Sequence, residues 1–237
     1  MKILEMLFGK KRNDSETKGK TGDNIILDTR RIFPYMSRVD VKNYENGAFI
    51  YNPGGNEKLL KKISDDLACI YLITNDKSEP TIVSKDFINN LNLTPEKIDL
   101  YAQQNLVKLF NDKGQMLKKD VSDHSTLYTM ILNQKSEATL MISDDIWKAI
   151  HEQLGVDIIF VSVPKQNEIN YCSIKGNSLE DLYAKTIQSF TEGGSQKLSP
   201  NIYLLHNSKW VMFDSGLEQI FEYCVKNKLI EGIDEFM

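Results

Sequence analysis

The stretch LACIYLITNDKSEPTIVSKDF (67–87) decides how this chain is read. Its first seven residues are an unbroken apolar run, long enough for a buried strand and too short for a core helix. The polar segment NDKSEP then makes a turn, and residues 80–83 form a return strand. Ser84 stands where the N-cap of a helix belongs, because its hydroxyl can accept a backbone N–H of the first turn. One short segment thus reads as strand, turn, strand, helix.

A second stretch, MILNQKSEATLMISDDI (130–146), carries the same chemistry at the same spacing once one residue is allowed for before its Ser143. Asn75 corresponds to Asn133, Glu79 to Glu137, Ser84 to Ser143 and Asp86 to Asp145. The match predicts a single supersecondary unit used twice. In the second copy, 125–132 and 138–142 are the expected strands. Ser143 is the expected cap of a helix with Ile146, Trp147, Ile150 and Leu154 inward, stopped by Gly155.

The same order recurs twice more without sequence similarity. Residues 157–163 and 168–174 are strands around the turn PKQN, followed by a helix from Ser178 to Gly193-Gly194. Leu179, Leu182, Tyr183, Thr186, Ile187 and Phe190 are its expected inner face. Residues 201–205 and 210–213 flank the turn HNSK, and a last helix carries Leu217, Ile220, Phe221, Cys224 and Val225 on one stripe. Between the first two units, Thr94 caps a helix with Pro95 in its first turn, running to about Asp112. Its inward residues are Ile98, Tyr101, Ala102, Asn105, Leu106, Leu109 and Phe110. In residues 25–60 only short strands are expected, with a turn at Pro53-Gly54-Gly55 and a short helix capped by Asn56 through 57–66.

Helices that follow hairpins, rather than join parallel strands, imply an α+β fold. The expectation is a mainly antiparallel sheet of repeated hairpin-helix units with helices packed on one face. Residues 25–237 read as one domain, or as two packed halves near 25–120 and 121–237.

The chain opens differently. Ile3, Leu4, Leu7 and Phe8 share one face of a short helix, followed by Lys10, Lys11 and Arg12. Two turns are unstable alone in water, so these seven residues form a candidate docking element. Membrane contact through 1–12 would be weak at best, given so small an apolar face. Glu5 interrupts the apolar stretch and the basic cluster follows it, which is the wrong order for a secretory signal. Gly19-Lys20-Thr21 imitates half of a phosphate-binding loop, but Asp14 stands where the leading glycine belongs. Residues 1–24 read as a flexible segment ahead of the domain.

Bulk composition narrows the function. Net charge is −4, and the one basic cluster is Lys10–Arg12, which argues against nucleic-acid binding. The three cysteines, Cys69, Cys172 and Cys224, are far apart among apolar residues, as in a reducing cytoplasm. His124, His151 and His206 have no partner at metal-ligand spacing, so neither metal nor cofactor is expected. Asp144-Asp145 and Glu180-Asp181 fall at helix starts, where negative charge suits the dipole. Asp65-Asp66 reads as a solvated turn. Asn105 stands out as an amide inside an apolar stripe, which must find hydrogen-bond partners: it either pins the helix to nearby backbone or anchors a pocket. FTEGGSQKLSPNIYL (190–204) reads as a helix-to-strand connection rather than a mobile lip.

The stretches LTPEKIDLYAQQNL (93–106), ATLMISDDIWKAIHEQLG (138–155) and VDIIFVSVPKQNEI (156–169), in this order, resemble the YtpQ-like bacterial proteins, a domain of unknown function. The resemblance covers roughly residues 65–215 and implies a cytosolic bacterial α+β protein with no established activity. Asn105 falls on the polar position of that family's "NL" helix, and Pro164 on the proline after its apolar strand. Where the family continues with Arg-Asp, this chain has Gln166-Asn167, a neutral pair. The polar candidates are therefore Asn105, His124, Gln166 and Asn167. The leading expectation is a non-enzymatic protein-binding or adaptor module with a protein partner. The alternatives are a hydrolase with residues scattered in sequence and an immunity-type protein that blocks a toxin.

Overall fold

The computed structural model describes residues 28–52, 57–75, 78–132, 135–174, 177–207 and 209–230. The docking residues Ile3, Leu4, Leu7, Phe8, Lys10, Lys11 and Arg12, the segment 1–24 and the turn at 53–55 lie outside them. The fold is α+β, built on two antiparallel sheets.

The first sheet comprises β1 (Ile32–Arg38), β2 (Phe49–Asn52), β3 (Lys58–Lys62), β4 (Leu67–Asn75) and β5 (Ser78–Ile82), in the order β1-β4-β3-β2 with β5 also on β4. The segment 67–87 keeps the expected order of strand, strand and helix, but the strands are longer than expected: β4 runs to Asn75 and β5 starts at Ser78, inside the expected turn. Leu72 faces Ile82 across the β4–β5 hairpin, and the Ser84 hydroxyl accepts the N–H of Phe87 at 3.2 Å to cap α1 (Lys85–Asn90). Helix α2 (Pro95–Lys113) begins at Thr94, whose hydroxyl accepts the N–H of Lys97. The short helix expected over 57–66 is instead β3. The run Leu59-Leu60 buries one residue on each side of the sheet, which a strand allows and a two-turn helix does not.

The second sheet runs β11-β10-β8-β9-β7-β6. Its strands are β6 (Gln115–Ser122), β7 (Ser125–Ile131), β8 (Ile159–Lys165), β9 (Glu168–Ser173), β10 (Ile202–His206) and β11 (Lys209–Phe213). The helices α3 (Asp144–Leu154), α4 (Ser178–Glu192) and α5 (Leu217–Lys226) follow their expected places. Gly155 ends α3 at φ +62°, a conformation that suits glycine.

The repeat in sequence is not a repeat in structure. Residues 137–142 form a 3-10 helix, not a return strand, with all six residues buried. Strand β7 already has β6 and β9 as neighbours, so no edge is left for 138–142 to pair with. The segment is held by side chains instead: the Glu137 carboxylate accepts the N–H of Leu132 at 3.1 Å, and the Thr139 hydroxyl accepts the N–H of Met36 at 3.3 Å. Ser143 precedes α3 without a side-chain cap bond. Ser178 is the first residue of α4 and not its cap; its hydroxyl accepts the N–H of Thr126.

A core cluster shared by both sheets joins them. It gathers Ile32, Met36, Cys69 and Tyr71 from the first sheet, Val161, Val163 and Tyr171 from the second, Ile98 and Leu106 from α2 and Trp147 from α3. Trp147 meets Tyr171 and Trp210 edge-on, each at 5.6 Å between centroids. Truncating so large a side chain would cost about 3–5 kcal/mol. The opposite face of the second sheet packs Phe160, Cys172, Ile202 and Leu204 under Leu179, Leu182 and Ile220 of α4 and α5. Helices therefore cover both faces of the larger sheet. Ile187 and Val225, expected inward, are 40% and 42% exposed. The width of each helix's apolar stripe exceeds what one sheet face can cover.

Candidate functional site

Asn105 is half-buried on α2, and its side-chain amide donates to the carbonyls of Thr29 and Ile32 at 2.7 and 2.8 Å. It therefore pins the helix to the entry of β1. The Thr29 carbonyl belongs to the 3-10 turn Thr29–Arg31, which Asp28 caps by accepting the N–H of Arg30, and the Ile32 carbonyl to the first residue of β1.

Gln166 and Asn167 form the β8–β9 turn. Gln166 Nε2 donates to the carbonyl of Met36 at 2.6 Å, its N–H bonds the Gln196 carbonyl, and its own carbonyl accepts the N–H of Ala138. The turn is thus a clasp between the two sheets, and Asn167 is exposed at its tip. Positive charge nearby comes from elsewhere: Arg38 and Lys197 both face the Phe190 ring, at 5.6 and 5.2 Å from its centre.

His124 is exposed at the tip of the β6–β7 hairpin. It lines a cleft of about 430 Å³ with Lys118, Asp123, Ser125, Tyr128 and Ser178. Ser125 is buried and its hydroxyl has no partner among the described residues. Asp123, His124 and Ser125 adjoin in sequence, yet among the described residues no side-chain bond links them. The β7–β9 register, with Tyr128 opposite Tyr171, puts His124 and Gln166 at opposite ends of the sheet, on the order of 25 Å apart along the strands. The four polar candidates do not converge.

Two polar centres escaped the sequence reading. Asp66, expected in a solvated turn, accepts Ser64 Oγ at 2.8 Å, Ser199 Oγ at 2.6 Å, Asn201 Nδ2 at 3.1 Å and the Tyr203 hydroxyl at 2.9 Å. Ser199 and Tyr203 are fully buried. Asp99 on α2 accepts Lys61 Nζ at 2.7 Å, the Tyr71 hydroxyl at 2.8 Å and Gln103 Nε2 at 2.8 Å. Its clue is spacing: Asp99 stands three residues before Ala102 and seven before Leu106, on the same buried face of the helix. Asp66 gave no such clue, since all its partners but Ser64 lie more than 130 residues on.

Burial governs the titration of the inner groups. It pushes the Cys69 thiol up to about 12, with the Asp99 charge adding to the effect. Tyr71 and Tyr203 rise for the same reason, aided for Tyr203 by the Asp66 charge. At neutral pH these groups are protonated donors, which suits structural bonding. Burial lowers Lys185, which donates to Asn170 Oδ1 at 2.8 Å. His151 Nδ1 lies 2.8 Å from the Val156 carbonyl, and His206 Nδ1 lies 2.7 Å from the Tyr223 hydroxyl. Among the described residues, no group of three or more His, Cys, Asp or Glu is placed to hold a metal ion. None of their helices is long and apolar enough to cross a membrane.

One element is built as an open surface. Strand β6 closes the second sheet with β7 as its one strand neighbour among the described residues, and every residue of it except Met116 is exposed. Leu117 and Val121 are 48% and 43% exposed, although both are apolar. Comparison with family models, with curated proteins and with solved structures returned no match.

Proposed function

We propose that this chain is a protein-binding module whose contact edge is β6. The observation that carries the reading is an eight-residue edge strand with exposed Leu117 and Val121. Outward backbone N–H and C=O groups on such an edge accept an added strand, and alternate side chains select it. The hydrogen-bonded centres at Asp66 and Asp99 support the same view, because they tie elements together. The reading extends to a bacterial, cytoplasmic setting, supported by three buried free thiols and by the YtpQ-like stretches, which fall on α2, the 3-10 helix with α3, and β8.

A photo-crosslinking side chain placed at Leu117, and as a control at exposed Glu222 on α5, tests the proposal in the native cell. Discrete crosslinked species from Leu117 and not from Glu222 are expected. Equal labelling at both positions, or none at either, would overturn it.

A further inference from the structure

We propose that β6 takes a second copy of this chain, pairing antiparallel with its own counterpart about a two-fold axis at Lys119. The inference rests on β6 being the binding edge and names what occupies it. A strand that pairs with its own copy in antiparallel fashion does so about an axis perpendicular to the sheet, so each residue faces one on the same side of the sheet. With the axis at Lys119, Lys118 of each copy comes opposite Asp120 of the other. Two steps out, the exposed Leu117 approaches the exposed Val121, which the bulge between Asp120 and Ser122 takes out of regular pairing.

Neighbouring registers lack this match. An axis at Lys118 sets lysine on lysine and Leu117 against Lys119. An axis at Asp120 sets aspartate on aspartate and Lys119 against Val121. An axis at Leu117 sets Met116 against Lys118. Of these registers the Lys119 one alone sets opposite charges across from each other within the regular edge, twice by symmetry. Within one copy Lys118 already pairs with Asp120 at 2.9 Å, both well exposed, so the exchange across the axis replaces a solvated contact.

Two features keep the pairing weak. Lys119 meets Lys119 on the axis, and like charges directly opposite are unfavourable. A bulge between Asp120 and Ser122 twists the end of the strand, leaving Gln115–Asp120 as the regular edge. Edge lysines and bulges are the usual brakes on strand association. Here they make the dimer concentration-dependent, and Lys119 sets its strength.

The test is sedimentation of the full chain as wild type, as Lys119→Glu, and as an equimolar mixture with one form fluorescently labelled. Each form alone carries like charges on the axis, whereas the mixture carries opposite ones. The mixed species should associate roughly fivefold or more tightly than either parent. Lys119→Thr should also tighten the homodimer, since it removes the repulsion and favours a strand. If the mixture associates no better than its parents and Lys119→Thr changes nothing, pairing between copies is overturned. In that case crosslinking from Leu117 to another protein would leave the edge reading standing, and its absence would remove that too.

Discussion

The hydroxyl of Tyr203, on β10 of the six-stranded sheet, lies 2.9 Å from Asp66 Oδ1 at the start of β4 in the other sheet. The carboxylate also takes hydrogen bonds from Ser64, Ser199 and Asn201, so a single side chain joins residues 64–66 to residues 199–203. Bonds to an ionised acceptor contribute about 1.5–3 kcal/mol each, and orphaned buried hydroxyls cost about 1–3 kcal/mol. Asp66→Ala should therefore destabilise the fold by about 3–4 kcal/mol. Tyr203→Phe, which keeps the packing and leaves three donors on the carboxylate, should cost about 1–2 kcal/mol. Urea unfolding followed by tryptophan fluorescence reads both. A cost under about 0.5 kcal/mol for Asp66→Ala would show that the seam carries no load.

Asn105→Leu separates anchoring from binding. The larger apolar side chain suits the stripe on α2 but leaves the Thr29 and Ile32 carbonyls without their donor. Loss of about 1–3 kcal/mol is expected. Amide exchange in residues 28–33 should speed up, while crosslinking through Leu117 should stay unchanged. A loss of crosslinking with stability intact would instead assign Asn105 to the binding surface.

These two centres also show what a sequence can and cannot display. The hairpin 67–82, the capped helices at Ser84 and Thr94, and the hairpins of 159–173 and 202–213 follow from local patterns, and each formed. Asn105 was visible as an amide interrupting an apolar stripe. Strand β6 was invisible because both its faces are wet, so no alternation marks it; only pairing with β7 makes it a strand. Once β6 occupied that place, 138–142 had no partner, and a segment that imitates a return strand became a 3-10 helix. Asp66 stayed hidden since the residues that make it a hub lie on another sheet. Local pattern therefore located the elements, and tertiary pairing decided the edge on which the functional reading depends.

Glu168 gives the fold a defined acid limb. Burial pushes its carboxyl up, but the hydrogen bond from Asn170 and the bond and charge of Lys165, with Ser189, outweigh it and hold the group below its ordinary 4.5. A carboxylate with a lowered folded pKa adds stability that is fully present above the unfolded value and disappears as pH falls through the folded one. Glu168→Gln should thus lower stability at pH 7, and the deficit should shrink as pH falls through 4.5 and vanish once pH passes below the lowered folded value. Denaturant midpoints of both proteins, compared from pH 7 to pH 3, check the convergence. Parallel curves across that range would remove Glu168 from the account.

The thiols supply a test of the whole packed state. Cys69, Cys172 and Cys224 are all fully buried and unbridged. Burial raises each of them, Cys69 to about 12 and Cys224 to about 11. The thiolate is the reacting species, so at pH 8 a thiol at about 12 offers on the order of a thousandfold less of it than one near 8.5. Reaction in the native state must then await local opening. Cys224 lies on α5, a ten-residue helix over the second core cluster, whereas Cys69 and Cys172 sit within central strands. An aromatic disulfide reagent should modify Cys224 first and the other two only with global unfolding. In denaturant all three should react at once. Immediate modification of Cys69 or Cys172 in the folded protein would mean that β4 or β9 opens independently. The two core clusters would then not unfold as one cooperative unit.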